Sequence, residues 1–338
     1  MNPSSGNFPP ARPVGLASGP ARIFAFILLA GLLGTDTVRA SPTDWLMKIN
    51  RASASLSFSG MFVYVHDGQI DTMQVVRRVR NEMMEERLYS LNGEPREIVR
   101  DTNRVWCYLP EQKVGVHDHR RAFESGFPRI LPDDLERLTQ NYHFTEGGVN
   151  RIADRRARRI NVIPNDGYRY GYALWADEET GLLLRSDLLG EDNRVVEQYL
   201  FVTIDVDSEI SDHELQAVTS KEKLLWYGDE KPQSSASPEE SKWQFTQLPA
   251  GYRLSKYLRR MSPMEGGEIE HLIFTDGLST VSIFIKAINA GQSAMEGLSH
   301  MGAMHVYRST INGHRVTVMG ETPARTVELL AGGVGYAQ

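Results

Sequence analysis

The sequence predicts a mainly β protein with a few helices: a large antiparallel sheet curled into an unclosed barrel, followed by a small α+β domain. Three observations carry this. Short runs with a period of two recur along most of the chain, the breaks between them hold turn chemistry, and few stretches have helical spacing. Short connections make successive strands antiparallel neighbours, so the large sheet reads as a long meander rather than a βαβ fold.

The chain has 338 residues, more than one comfortable core, and two domains are expected. Its first forty residues stand apart. Arg12 and Arg22 precede the apolar run Ile23–Gly34, and "TVRA-SPTDW" supplies a small-residue cleavage site after Ala40. The run is shorter than the roughly 20 residues a membrane-spanning helix needs, so residues 1–40 read as a cleaved signal peptide. Ser41, not Cys, would follow the cut, which offers no site for N-terminal lipid. The expected mature chain, Ser41 to Gln338, is exported to the periplasm and soluble.

The first element is a short helix, "PTDWLMKINRAS", with Trp45, Leu46 and Ile49 on one side. Strand-like runs follow at 58–66, 72–80, 86–91, 96–100, 104–109 and 114–119, separated by "HDGQ", "LNGEP", "RDTN" and "PEQK". "LPDDLERLTQNY" then reads as a helix, with Pro132 early and Leu131, Leu135 and Leu138 on one face. Strands resume at 142–146, 149–163, 167–176, 181–189 and 194–206. In "FSGMFVYV" both strand faces are apolar, and "YRYGYALW" and "GLLLRSDLLG" are similar, which fits a sheet covered on both sides around an enclosed interior.

"GDEKPQSSASPEES", Gly228–Ser241, is rich in Ser, Pro and charge and reads as an exposed linker. The expected layout is a large domain over 41–219, a linker over 220–241 and a small domain over 242–338. The small domain carries strand runs, hairpin signals in "TDGLS" and "INGH", and a closing helix in "PARTVELLAGGV" with Val327 and Leu330 on one face.

Hydrophobic content of 41% and charged content of 24% are ordinary for a globular protein. Losing the leader's three arginines and one aspartate takes the net charge from −6 to −8, which argues against nucleic acid as a partner. Cys107 is the lone cysteine. It reads as a small buried thiol on one strand face, an intermolecular disulfide or reactive thiol being the alternative.

Sites of catalysis are not evident. No nucleophile elbow, zincin, phosphate-loop or dinucleotide motif is present. His117 and His119 have a spacing that can supply two metal ligands, yet no third is identifiable, and His300 and His305 define no ligand geometry. The expectation is no enzyme, no metal and no cofactor. Two other patterns stay open. Arg151, Arg155, Arg156, Arg158 and Arg159 are either a solvated strand edge or a contact for anionic groups, and so is the set Arg253, Lys256, Arg259 and Arg260. Phe62, Tyr64, Trp106, Tyr108, Tyr168, Tyr170 and Tyr172 are either plain core or the lining of an apolar cavity. If they line one, a large side chain at Gly60 or Gly171 is expected to narrow it.

"FSGMFVYVHDG", "LNGEPREIVR", "RYGYALWADEETGLLLRSDLL" and "VVEQYLFV" resemble the large domain of the RseB/MucB family of exported sigma-factor regulators, and "LPAGYRL", "VSIFIK", "GLSHMGAMHVY" and "HRVTVMGETP" resemble its small domain. The likeness runs in order through 41–336. The family's large domain is itself similar to the lipoprotein-carrier fold, an unclosed barrel that holds acyl chains. The resemblance implies negative regulation of the envelope stress response. Such a protein binds the periplasmic part of a membrane-spanning anti-sigma factor, protects it from regulated proteolysis, and lets go when lipopolysaccharide or unfolded envelope proteins accumulate. A lipid or lipoprotein carrier without a regulatory partner is the alternative, and self-association is left open. "RNEMMEERLYSL" departs from the family's expected turn before "ERL" and puts one strand connection in doubt.

Overall fold

A computed structural model describes residues 40–118, 127, 130–228, 241–261, 267–288 and 296–336. The expected leader, apart from Ala40, and His119 lie outside the described residues. Residues 40–338 pack as one unit.

The first helix, α1 (Pro42–Ser55), begins where the local chemistry says it should. Ser41 caps it, Asp44 closes a reciprocal capping box, and Pro42 occupies the first turn. Leu46, Ile49 and Ala52 form its buried stripe. Six strands follow: β1 (Phe58–His66), β2 (Gln69–Arg80), β3 (Met83–Ser90), β4 (Glu97–Arg100), β5 (Val105–Leu109) and β6 (Val114–Asp118). The β1–β2 turn is the expected Asp-Gly hairpin, with Asp67 and Gly68 both at positive φ. The doubtful connection before "ERL" is a tight turn through Asn81 and Glu82, two non-glycine residues held at φ 49° and 64°.

The expected helix around Leu135 is shorter than its pattern. Only α2 (Leu135–Leu138) is helical, because the chain turns at Thr139–Asn141 and enters β7 (Tyr142–Ile152). Strands β8 (Arg155–Pro164), β9 (Gly171–Asp177), β10 (Leu183–Leu189) and β11 (Val195–Val206) then return. The sheet is not one continuous meander. Its order places β6 near one edge and β7 at the other, and β11 closes against β1, so β1 is the seam between two antiparallel wings. Within the stretch read as linker, Lys221–Lys223 form a 3-10 turn and β12 (Leu225–Gly228) pairs in parallel with β6. Residues 229–240 lie outside the described residues.

Register identifies the enclosed face. Phe58, Gly60, Phe62 and Tyr64 of β1 stand beside Arg77, Val75, Met73 and Asp71 of β2, and β3 continues with Glu86, Leu88 and Ser90. Phe58, Phe62, Met73, Val75 and Leu88 all belong to the main buried core. The opposite face of β1 is half-buried; on β2, Val76 meets Ile210 and Leu215, the latter from the short helix α3 (Asp212–Leu215).

The small domain pairs β13 (Trp243–Phe245) with β20 (Val334–Tyr336) beside a six-stranded antiparallel sheet. In chain order those six are β14 (Arg253–Met261), β15 (Glu268–Thr275), β16 (Thr280–Ala287), β17 (Gly297–Met301), β18 (Met304–Ile311) and β19 (His314–Glu321). The closing helix α4 (Ala324–Gly332) buries Val327 and Leu330 against Ile283, Val316 and Val318. The molecule is thus mostly strand, with a curled open half-barrel as its larger part. Among the described residues no helix is long and apolar enough to cross a membrane.

Candidate functional site

The concave face of the half-barrel is filled by the chain itself. Leu46 and Ile49 of α1, and Leu131, Leu135 and Leu138 around α2, pack into it. At its centre the Phe127 ring stacks on Phe62 at 4.3 Å and meets Tyr199 and Phe201 at 5.1 and 5.9 Å. Aromatic rings at such distances and tilts attract beyond their buried area. Asn50 donates to the Pro132 carbonyl at 2.7 Å, tying α1 to the same segment.

Beneath the rings lies a buried ionic row. Arg77 donates to the Phe127 carbonyl at 2.9 Å and to the Ser53 carbonyl. Glu86, fully buried, lies 3.6 Å from Arg77 and 3.1 Å from Arg100. Burial pushes the Glu86 carboxyl above its usual range, against the pull of Arg100 and Arg77. The Tyr199 hydroxyl is buried in the hollow with no hydrogen-bond partner among the described residues, and burial raises its pKa.

The small domain closes one end of this hollow. Asp276, in the β15–β16 turn, accepts from Tyr142 at 2.9 Å and pairs with Arg169 at 2.8 Å. Arg169 and Asp276 are 1% and 0% exposed, and Arg169 also holds Asp166 and the Ala250 carbonyl. Tyr142 and Tyr252 flank its guanidinium at 5.6 and 5.2 Å. Leu278 of the same turn packs on the hollow's core. A second contact lies farther along the rim. Gly302 and Ala303 donate backbone N–H groups to Asp67 and Glu197, and Tyr64 donates to Glu197 at 2.5 Å. Burial, with the nearby Glu197 charge, holds the Glu321 carboxyl above its ordinary range.

The aromatic candidates separate in space. Phe62 is inside the hollow and Tyr64 is at its rim. Trp106 stands on the opposite face of β5, between the cations of Arg104 and Lys221, with Tyr108 near Trp226 on that same face. Tyr168 offers its carbonyl to Thr326, while Tyr170 packs with Leu188 and Ala303, its pKa pushed up to about 12 by burial. Tyr172 touches both the hollow's core and the small domain.

The arginine candidates are largely neutralised within the sheet. Arg155 pairs with Asp177 and Glu179, Arg156 with Glu178, and Arg158 with Glu146 and Glu178. Arg159 bonds Asn161 and lies over Trp175, whose other neighbour is Arg185. Arg259 bonds the Tyr257 hydroxyl, and Arg260 lies in β14 with its side chain outside the described residues. Cys107 is half-buried on the enclosed face, with its thiol pKa raised by burial. His117 packs near Trp226, and His305 bonds the Thr322 carbonyl beside an exposed His300. Among the described residues no group of three His, Cys, Asp or Glu side chains is placed to hold a metal ion.

Sequence reasoning missed the buried arginines Arg77, Arg78 and Arg169. Arg169 did leave a trace: it interrupts the aromatic run Tyr168–Tyr172, where an unpaired charge would be prohibitive.

A curled half-barrel around a self-filled apolar hollow, with a smaller sheet packed onto its rim, defines a non-catalytic scaffold class rather than any motif of an enzyme fold. The family model for the MucB/RseB N-terminal domain matches residues 41–219, and that for the MucB/RseB C-terminal domain matches 237–335. The chain belongs to the MucB/RseB family, which is regulatory rather than enzymatic.

Among its relatives is the sigma factor AlgU regulatory protein MucB of Pseudomonas aeruginosa, 29% identical over 90% of this chain and 94% of that protein. The sigma-E factor regulatory protein RseB of Escherichia coli K12 is 28% identical, covering 93% of this chain and 97% of its own. The crystal structure of MucB in complex with MucA(peri) superposes with a TM-score of 0.68 at 27% identity, covering 88% of this chain and 99% of that one. That of MucB alone gives 0.60 at 28% identity, over 87% and 97%.

Proposed function

We propose that this chain acts in the periplasm as a negative regulator of an envelope-stress sigma factor. It binds the periplasmic region of a single-span anti-sigma factor and protects it from regulated proteolysis. Acyl-bearing ligands such as lipopolysaccharide, or misfolded envelope proteins, release it. Family membership and the solved complex of a relative with MucA(peri) support the partner.

One observation carries the ligand half of the reading: Phe127 occupies an aromatic pocket as an inserted side chain would. Its ring leans on Phe62, Tyr199 and Phe201, and one hydrogen bond from Arg77 holds its carbonyl. An acyl chain that replaces it recovers the apolar contacts, at about 0.8 kcal/mol per buried methylene. Coupling of about 1–3 kcal/mol between the hollow and the partner surface is enough to shift the complex.

The test is reciprocal binding. Mature protein is titrated with the anti-sigma periplasmic region at several lipopolysaccharide concentrations, and partner affinity is expected to fall by the same factor by which the partner weakens lipopolysaccharide binding. Isotherms that do not move, in a protein that binds both, would sink the ligand mechanism and leave the partner assignment standing. Gly60 is a poor place to narrow the hollow, because an added Cβ would meet the Thr203 carbonyl at 2.5 Å and push β1 off β11. At Gly171 it would crowd Val162 and Pro164 at 3.2 and 3.3 Å. Removing Phe127 is the cleaner probe.

A further inference from the structure

The enclosed face does not end at Phe62 and Phe201. Beyond Tyr64 and Tyr199 the register carries it on through Glu197, Leu188 and Tyr172, across β11, β10 and β9. There it runs under the small domain, where Tyr172 borders a half-open cleft of about 560 Å³ whose other lining residues all come from the small domain. Tyr172 and Leu278 line this cleft and also pack on the hollow's filled core, so these two side chains connect the two regions. The rest of the lining is mixed: Phe284, Met304 and Met319, on the face of the small sheet turned away from α4, alternate with five polar side chains, His271 and Glu321 among them.

We infer that this cleft is the outer chamber of the acyl site, taking the distal part of a long alkyl chain whose first part lies in the hollow. The inference rests on reading the hollow as an acyl site. Its volume falls in the range of pockets that enclose small ligands. Unbranched methionines suit a flexible chain, because they repack without a fixed shape. The lining has no lysine or arginine to hold an anion. An anionic headgroup is therefore disfavoured there and a hydrocarbon tail is not. Glu321 also lies where burial and Glu197 favour its neutral form, which suits an apolar occupant.

Chain length gives the test. Single-chain phosphatidylcholines of 8 and 16 carbons are titrated below their aggregation thresholds into the mature protein, the Ser282→Trp variant and the Phe127→Ala variant. Each fully buried methylene is worth about fourfold in affinity, so the wild type should prefer the longer chain by about tenfold or more. Ser282 lines the chamber on the small sheet, and its indole replacement should weaken the 16-carbon ligand about tenfold and leave the 8-carbon ligand within about twofold. Phe127→Ala should strengthen both.

If Phe127→Ala strengthens both and Ser282→Trp changes neither, the hollow stands and the outer chamber is overturned. Equal losses for both chains on Ser282→Trp overturn it as well. If Phe127→Ala moves neither, the acyl reading itself falls and takes the chamber with it. Loss of anti-sigma binding in Ser282→Trp with unchanged lipid binding would assign the cavity to the protein partner instead. Met304→Trp, from a different strand of the same wall, replaces Ser282→Trp if that variant does not fold.

Discussion

Arg77 and Arg169 are both almost wholly buried, and each joins segments far apart in the chain. Their partners differ. Arg77 directs its fork at two neutral carbonyls, Ser53 and Phe127, with Glu86 behind it as counter-ion. Arg169 is paired with two carboxylates, Asp166 and Asp276, and the second of these belongs to the other domain. Moving Phe127 out would leave Arg77 its counter-ion, and would remove one neutral acceptor from Arg77 and one backbone hydrogen bond from Glu86. When the domains part, Arg169 and Asp276 lose each other's charge. The Phe127 contact is therefore expected to yield before the Arg169–Asp276 contact does.

The largest effect should come from the seam. Asp276→Ala leaves Arg169 with Asp166 alone and strips Tyr142 of its acceptor; loss of one partner of a buried pair costs about 3–5 kcal/mol. Denaturant melts should show that loss, and small-angle scattering should show an expanded protein. A compact variant of unchanged stability would mean the seam is held elsewhere. Arg77→Met is expected to cost somewhat less, about 2–4 kcal/mol, because Arg100 still faces Glu86. It should also increase binding of an apolar fluorophore, which Asp276→Ala should do only if the domains open.

Tyr64→Phe removes a charge-assisted hydrogen bond to Glu197 and should cost about 1.5 kcal/mol, read from the denaturant midpoint. A smaller effect is pH-dependent. The raised Glu321 carboxyl means that the docked form holds its proton more readily than the unfolded chain. Its contribution is fully present below the ordinary carboxyl range and is lost as pH rises through its raised value. Asp177 runs the other way: its carboxyl is lowered chiefly by the Arg155 and Thr180 hydrogen bonds, opposed by burial, so its stabilisation is lost on acidification. Glu321→Gln should flatten the first trend in stability-against-pH curves and leave the second. The least effect, under about 0.5 kcal/mol, is expected for His117→Ala, whose ring stands at a half-exposed strand end.

The fold class was legible because hairpin chemistry is local. Asp67–Gly68 and Asn312–Gly313 announce their turns in two letters each. The split of the large sheet into two wings was not legible, since it depends on where the chain lands after residues 119–141, and no local residue encodes that. The candidate site was half legible. Two-faced apolar strands pointed to an interior, and register then separated Phe62 and Tyr64 from Trp106, which period-two reasoning along single strands could not do. The arginine run stayed open between a solvated edge and an anion contact because its carboxylates, Glu146, Asp177 and Glu178, lie on other turns and strands. Partners distant in sequence are invisible to composition.

The seam at β1 also sets the order in which the molecule can be assembled. Phe58 pairs with Arg77 on one side, close in the chain, and with Val206 on the other, after nearly the whole large domain has been made. Local hairpins close in microseconds, whereas pairings of such long separation are slow because loop entropy must be lost first. As the chain emerges from its N-terminus, β1 therefore waits with one edge bare and its aromatic face uncovered. That interval is when this protein is most exposed to wrong pairing with another strand, and arrival of β11 ends it.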